Sequence, residues 1–196
     1  GLNITSITMD FEWGKDYKPG LKRIREMGFK AGIATLRIHK PGENHHLRLI
    51  EALKPDRVLV RSLGALGRLQ NSGLNLVGDH GLNICNTYTA DYFMNKNLDL
   101  LSASYDLNSE QLKDLYRNYG GQNFEMVIHH YMPAFHMEHC LYAAFLSKGH
   151  TEKDCGKPCE RHKVEVKDPK GVFHYLKPDQ ECRNTMYHGV PNLQID

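Results

Sequence analysis

The 196-residue chain has no cysteine in its first 84 positions, little charge imbalance (formal net charge +2) and no long apolar run. Secreted small domains spread even sets of cysteines along the whole chain, so a disulfide-stapled scaffold is excluded. No stretch approaches the length that spans a bilayer, and a membrane-embedded protein is excluded with it. A charge of +2 leaves RNA permitted but not argued for, although twelve histidines make the surface more basic in mild acid. Several catalytic signatures are also missing. No G-x-G-x-x-G follows the first strand-like run, and there is no G-x-S-x-G elbow or papain-like cysteine motif. "SLGALG" (62–67) lacks the Lys-Ser/Thr of a phosphate loop, and "HMEH" (136–139) does not have the order of the H-E-x-x-H zinc protease motif. No nucleophile can be nominated. The chain opens on Gly1 with neither an apolar signal core nor an Arg/Ser-rich leader, which suggests a cut or processed N-terminus. Its thiols are expected to be reduced and intracellular, cytoplasmic or organellar.

What is present is a regular alternation. Strand-type runs at 4–11, 31–38, 58–62, 74–78, 98–102 and 125–129 are separated by helical patterns at 18–27, 44–53, 87–94, 109–119 and 139–146. Parallel neighbours need a crossover and a helix is the usual one, so the alternation predicts a mainly parallel sheet. Gly28 is read as a helix stop, and Asn108 with Gln111 as a capping box. About six βα units suit an α/β barrel, yet a closed eight-stranded barrel takes about 250 residues. The expectation is therefore a partial TIM-barrel-like (β/α) domain over 1–150. A cysteine-rich β-hairpin region at 151–196 is expected to pack on it, with "KVEVKDPKGVFHYLK" (163–177) turning at Asp168-Pro169-Lys170-Gly171.

Four of the five cysteines, Cys140, Cys155, Cys159 and Cys182, are arranged as C-x14-C-x3-C-x22-C; Cys85 stands apart. Four thiolates satisfy either a tetrahedral zinc or the irons of a cubane cluster. Zinc ribbons carry two C-x2-C knuckles, so one C-x3-C with two distant cysteines favours the cluster. Separately buried small residues are the alternative, against which Gly156 and Pro158 in "CGKPC" argue by building a turn. His136, Glu138 or His139 could serve near such a centre or act as hydrogen-bonded junction residues. "GDHGLNICNTYTA" (78–90) sets Asp79, His80, Asn83 and Asn86 just after a strand, where barrel enzymes keep their catalytic loops; turn formation is the competing reading. Arg37, His39 and Arg61 fall at strand ends and could meet an anionic ligand or simply be solvated. The doublets His45-His46 and His129-His130 are expected to diverge rather than chelate.

Taken together, "LVRSLGALGRL", "GDHGLNICNTYTA", "YDLNSEQL", "FEMVIHHYMPAFHMEHC", "DCGKPCERHKVEVKDPKG" and "CRNTMY" make the chain resemble the U32 peptidase family, or collagenase-like proteases, over most of 30–190. The likeness is greatest to the longer plant and bacterial members. It implies a TIM-barrel-like catalytic domain followed by small β elements, with a [4Fe-4S] cluster on Cys140, Cys155, Cys159 and Cys182. It also implies oxygen-independent hydroxylation of a tRNA uridine, a ribosomal RNA cytidine or a quinone precursor, with prephenate implicated as the oxygen source. The substrate would then be an RNA base or an aromatic small molecule, with Arg61, Asp79, His80, His129 and His136 near it. The peptidase label implies an endopeptidase instead, in which those histidines and Glu138 serve proteolysis and the thiols hold zinc or nothing. A non-catalytic assembly subunit with a structural metal is the third reading. The first barrel strands of the family are not found here, so a partner chain or a missing N-terminal segment is expected to complete the barrel.

Overall fold

Met9, Ala31, Ile33, Val58, Val60, Leu76 and Leu101 occupy alternate positions of short runs, and all enter one core in the computed structural model, which describes residues 3–193. The runs form β1 (Ser6–Met9), β2 (Lys30–Ala34), β3 (Arg57–Val60), β4 (Leu76–Gly78), β5 (Leu100–Ser102) and β6 (Phe124–Glu125). Neighbours are parallel, and their order in space is their order in the chain. Right-handed crossovers that always step the same way leave every helix on one face. These helices are α1 (Tyr17–Glu26), α2 (Asn44–Leu53), α3 (Leu63–Leu69), α4 (Thr87–Met94) and α5 (Ser109–Tyr119). Leu21 and Ile24, Leu47 and Ile50, Leu66 and Leu69, and Ala90 and Phe93 supply their share of the core.

The other face of the sheet is concave and carries a charged bracket among apolar side chains such as Leu59 and Val77. Arg57 on β3 donates from Nη1 and Nη2 to Oε1 and Oε2 of Glu125 on β6, at 2.8 and 2.6 Å, and from Nη1 to Ser6 Oγ on β1 at 3.3 Å. Strands three ladders apart stand roughly 14 Å from each other in a flat sheet, a gap that upright side chains do not bridge. The sheet is therefore curled around Arg57, as an arc of a barrel. This is the expected partial (β/α) barrel, built from six strands. Gly32 lies beneath the bracket: a β-carbon there would stand 2.6 Å from Thr8 Oγ1 and 2.7 Å from Arg57 Cγ. Gly32→Ala is expected to cost about 1–3 kcal/mol by overpacking, read as a lower midpoint in urea denaturation.

Local chemistry explains the helix ends. Gly28 takes φ +84° after α1, and Asn108 and Gln111 close a reciprocal capping box on α5, both as expected. Helix α3 was not expected, because Gly64 and Gly67 lower its propensity. It forms because Ala65, Leu66 and Leu69 are buried and Ser62 Oγ caps Ala65 N at 3.3 Å.

A second compact unit begins at Val127 rather than after 150. The expected strand at 125–129 splits: β6 ends at Glu125, while β7 (His129–His130) pairs with β12 (Asn192–Leu193). Strand β8 (Pro133–Met137) pairs with β11 (Asn184–Tyr187), about fifty residues downstream, which commits residues before 150 to the C-terminal unit. The antiparallel order is β8-β11-β10-β9, with β9 (Val164–Lys167) and β10 (Phe173–Pro178) forming the expected hairpin. Asp168 Oδ1 accepts from Lys170 N and Val172 N, both at 2.9 Å, and Gly171 takes φ +86°. A short helix, α6 (Leu141–Leu146), completes the unit. No helix among the described residues is long and apolar enough to cross a membrane.

Candidate functional site

Asp10, Thr35, Arg61 and Asp79 are the residues immediately after β1, β2, β3 and β4. Parallel register carries all four to the C-terminal rim of the half-barrel, the end at which barrel enzymes place their chemistry. Arg61 is the hub. Its Nη1 donates to Asp10 Oδ2 at 2.8 Å and its Nε to Asp79 Oδ2 at 3.2 Å, while its backbone N donates to Thr35 Oγ1 at 3.0 Å. The Arg61 and Asp79 side chains are only 11% and 10% exposed, so the pair is desolvated. Asp79 Oδ1 lies 2.9 Å from His80 Nδ1 and accepts from His80 N at 2.9 Å. The His80 ring stacks on Tyr105, with centroids 4.0 Å apart and planes at 10°. Gly81 lets this turn approach β3, since a β-carbon would meet the Arg61 carbonyl oxygen at 2.8 Å.

Burial pushes the Asp79 carboxyl up, but the His80 hydrogen bond and charge and the Arg61 charge outweigh it and bring the pKa down to about 2. A carboxylate on Nδ1 fixes the imidazole tautomer and leaves Nε2 to take or give a proton, which is a general acid–base arrangement. The depressed pKa sets a sign for stability. It lies below the ordinary value of 3.8, so the contribution is fully present above about pH 4 and lost as pH falls toward about 2. It amounts to on the order of 2 kcal/mol. Urea denaturation from pH 6 to pH 2 is expected to show wild type losing that much more stability than Asp79→Asn; parallel curves would refute the assignment.

The six expected catalytic residues are divided between the units. Arg61, Asp79 and His80 meet in the first, joined by Asp10, Thr35 and Tyr105, which sequence reasoning missed. A polar residue directly after each apolar run was the available signal. In the second unit His129 stands edge-on to Tyr131 at 6.1 Å, His136 Nδ1 lies 2.8 Å from Thr185 Oγ1, and Glu138 accepts from Arg183 Nε at 3.0 Å. Asn86 is the N-cap of α4, in a reciprocal capping box with Thr89, and Asn83 closes a short 3-10 turn with φ +56°. His39 packs against Gly64 of α3, where a β-carbon would meet its Nδ1 at 2.7 Å. The His45 and His46 rings do not diverge as expected: their centroids are 3.9 Å apart, at 41°.

The four C-terminal cysteines are partly buried free thiols, all in the second unit. Cys140 is the N-cap of α6, and its Sγ accepts from Ala143 N at 3.5 Å. Cys155 and Cys159 flank the expected turn, with Gly156 at φ +67° and Lys157 at φ +49° before Pro158 opens a 3-10 turn. Cys182 itself takes φ +60°. Its loop is held by Asp179, whose Oδ1 accepts from Glu181 N and Arg183 N at 2.9 Å and whose carbonyl accepts from Cys182 N at 3.2 Å. A left-handed non-glycine residue costs free energy and persists where its surroundings over-determine it. The thiols feel one another: burial and the charges of Cys140 and Cys155 raise the Cys159 pKa. Burial, Glu152, Cys140, Cys159 and Cys155 together push Cys182 up to about 11. Cys85 is exposed and belongs to the first unit.

As a metal site, the donor set suits a thiophilic centre. Among the described residues no three of these sulfurs lie within 4.8 Å of one another. Tetrahedral zinc with Zn–S near 2.3 Å draws its sulfurs to roughly 3.8 Å, whereas the separate irons of a cubane take more widely spaced thiolates.

No protein-family model and no curated protein sequence matches the chain. Among solved structures, the U32 peptidase Mk0906 superposes with a TM-score of 0.51 at 14% sequence identity, covering 66% of this chain and 57% of that one. The present chain thus spans a little over half the length of that structure, and at this identity the likeness is one of fold: a U32 peptidase shares the architecture of about two thirds of the chain.

Proposed function

We propose that the chain is an iron–sulfur enzyme domain of the U32 type, with Cys140, Cys155, Cys159 and Cys182 holding a [4Fe-4S] cluster. Its reaction would be an oxygen-independent hydroxylation of an RNA base or an aromatic small molecule. The observation that supports this is that four thiols from three separate loops of one unit lie close enough for Cys140 and Cys155 to act on Cys159, and all three on Cys182, with Cys182 itself in left-handed backbone. A bound cluster supplies one-electron chemistry. The protein's own part lies at the strand ends: Arg61, paired with Asp10 and Asp79, holds the two carboxylates in place, and His80 Nε2 exchanges a proton while Tyr105 holds its ring plane. Strands β1 and β6 are the edges of the parallel sheet, and a partner chain or a further segment would supply the remaining barrel strands.

The test is anaerobic purification with iron and acid-labile sulfide analysis, followed by RNA modification profiling of a deletion strain. Iron and sulfide in equal amounts with a lost modified base support the reading; protein that never carries iron refutes it. A second reading, endopeptidase, is favoured by the Asp79–His80 pair and by the fold shared with a protein described as a U32 peptidase. Gelatin hydrolysis abolished by His80→Ala would select it.

A further inference from the structure

We infer that Asn184 is a positioning residue for the cysteine group: its side-chain amide donates to the Cys140 sulfur and so sets how much negative charge that sulfur presents to a bound cluster. The inference rests on the cluster reading above and adds a residue to it.

Asn184 opens β11 between Met137 of β8 and Pro178 of β10, and it is completely buried. A buried amide must place both its acceptor and its donor. Asn184 Oδ1 accepts from Leu141 N at 2.7 Å. Because a backbone N–H can only donate, this contact fixes which end of the amide is oxygen. Nδ2 is thereby turned to the Cys140 Sγ, 3.9 Å away, a contact lengthened by the radius of sulfur. Ala143 N provides a second donor to the same sulfur at 3.5 Å.

Of the four cysteines, Cys140 is the one whose sulfur faces a side-chain amide donor among the described residues. In a cluster, N–H···S bonds stabilise the reduced, more negative state and raise the reduction potential. Asn184 also ties the first residue of α6 to β11, so one side chain sets both the position of Cys140 and its charge.

Two substitutions separate the parts. Asn184→Asp keeps an oxygen for Leu141 N–H and nearly the same shape, but it replaces the donor facing Sγ with a second oxygen. Asn184→Leu removes donor and acceptor without adding charge. The full chain, reconstituted anaerobically with iron and sulfide, is titrated electrochemically with EPR detection, and its fold is followed by circular dichroism. Both variants are expected to show a midpoint potential more negative than wild type, Asn184→Asp the more so; cluster loss with a wild-type dichroism spectrum supports the role equally. Unchanged potentials in folded variants overturn it. A measurement on wild type alone covers the case in which neither variant folds: with 15N-labelled asparagine, pulsed EPR of the reduced cluster is expected to show a 15N coupling, and its absence overturns the inference. Wild-type protein without iron and sulfide would instead refute the cluster reading itself, a different result from a cluster that is present and indifferent to Asn184.

Discussion

Cys159→Ser is expected to strip the chain of iron. If the four C-terminal cysteines hold the proposed cluster, wild type prepared without oxygen carries about four irons and four sulfides per chain, and the variant close to none. The serine hydroxyl is a hard, neutral ligand where a soft thiolate is needed, and Cys159 follows a turn whose φ values of +67° and +49° leave its backbone little room to offer a substitute. Cys85→Ser is the matched control, because that thiol is exposed and lies in the other unit. It should keep all of its iron. Iron and acid-labile sulfide analysis of the three proteins decides the matter: equal iron in wild type and Cys159→Ser would mean that the metal is held elsewhere.

Arg57→Met is expected to cost about 2–3 kcal/mol of stability. Removing one partner of a buried ion pair costs about 3–5 kcal/mol because the other charge is left uncompensated, and the figure is lowered here because the Glu125 side chain is 36% exposed and remains partly solvated. The Arg57 side chain is 14% exposed, and its Nε is buried without a hydrogen-bond partner, so the bracket has its own desolvation cost. The double variant Arg57→Met/Glu125→Met should therefore recover much of the loss, as well-packed apolar side chains often replace a buried pair without penalty. A double-mutant cycle by urea denaturation tests this. Strict additivity would show that Arg57 and Glu125 do not act as a unit across the concave face.

The helices at 44–53, 87–94 and 109–119 match the elements α2, α4 and α5 residue for residue. Each announces itself within a few neighbours by an apolar stripe, and α5 also by its cap. The hairpin about Asp168 and Gly171 and the turn inside "CGKPC" are equally local. Where the local signal was weak, the reading failed: Gly64 and Gly67 hid α3, whose helix is carried by burial of Ala65, Leu66 and Leu69. The boundary expected at 150 failed for the opposite reason, because β8 looks like any short apolar run until β11 pairs with it.

The candidate sites divide along the same line. The four C-terminal cysteines, Arg61, Asp79 and His80 could be named from residue type and position alone, since soft ligands and strand-end polar groups are chemical facts of the chain. Asp10 lies 51 residues before the guanidinium it faces, and Asn184 lies 44 residues after the sulfur it faces. Nothing in its own neighbourhood marks Asn184, and Asp10 is marked only by its place after an apolar run. Periodicity and turn chemistry are written into a few consecutive residues, so the sequence by itself determined most elements of the parallel sheet, the β9–β10 hairpin and the donor set. Which side chains converge depends on sheet register and on the curl that Arg57 and Glu125 hold, and these come from pairing strands distant in the chain, so only the tertiary structure decided them.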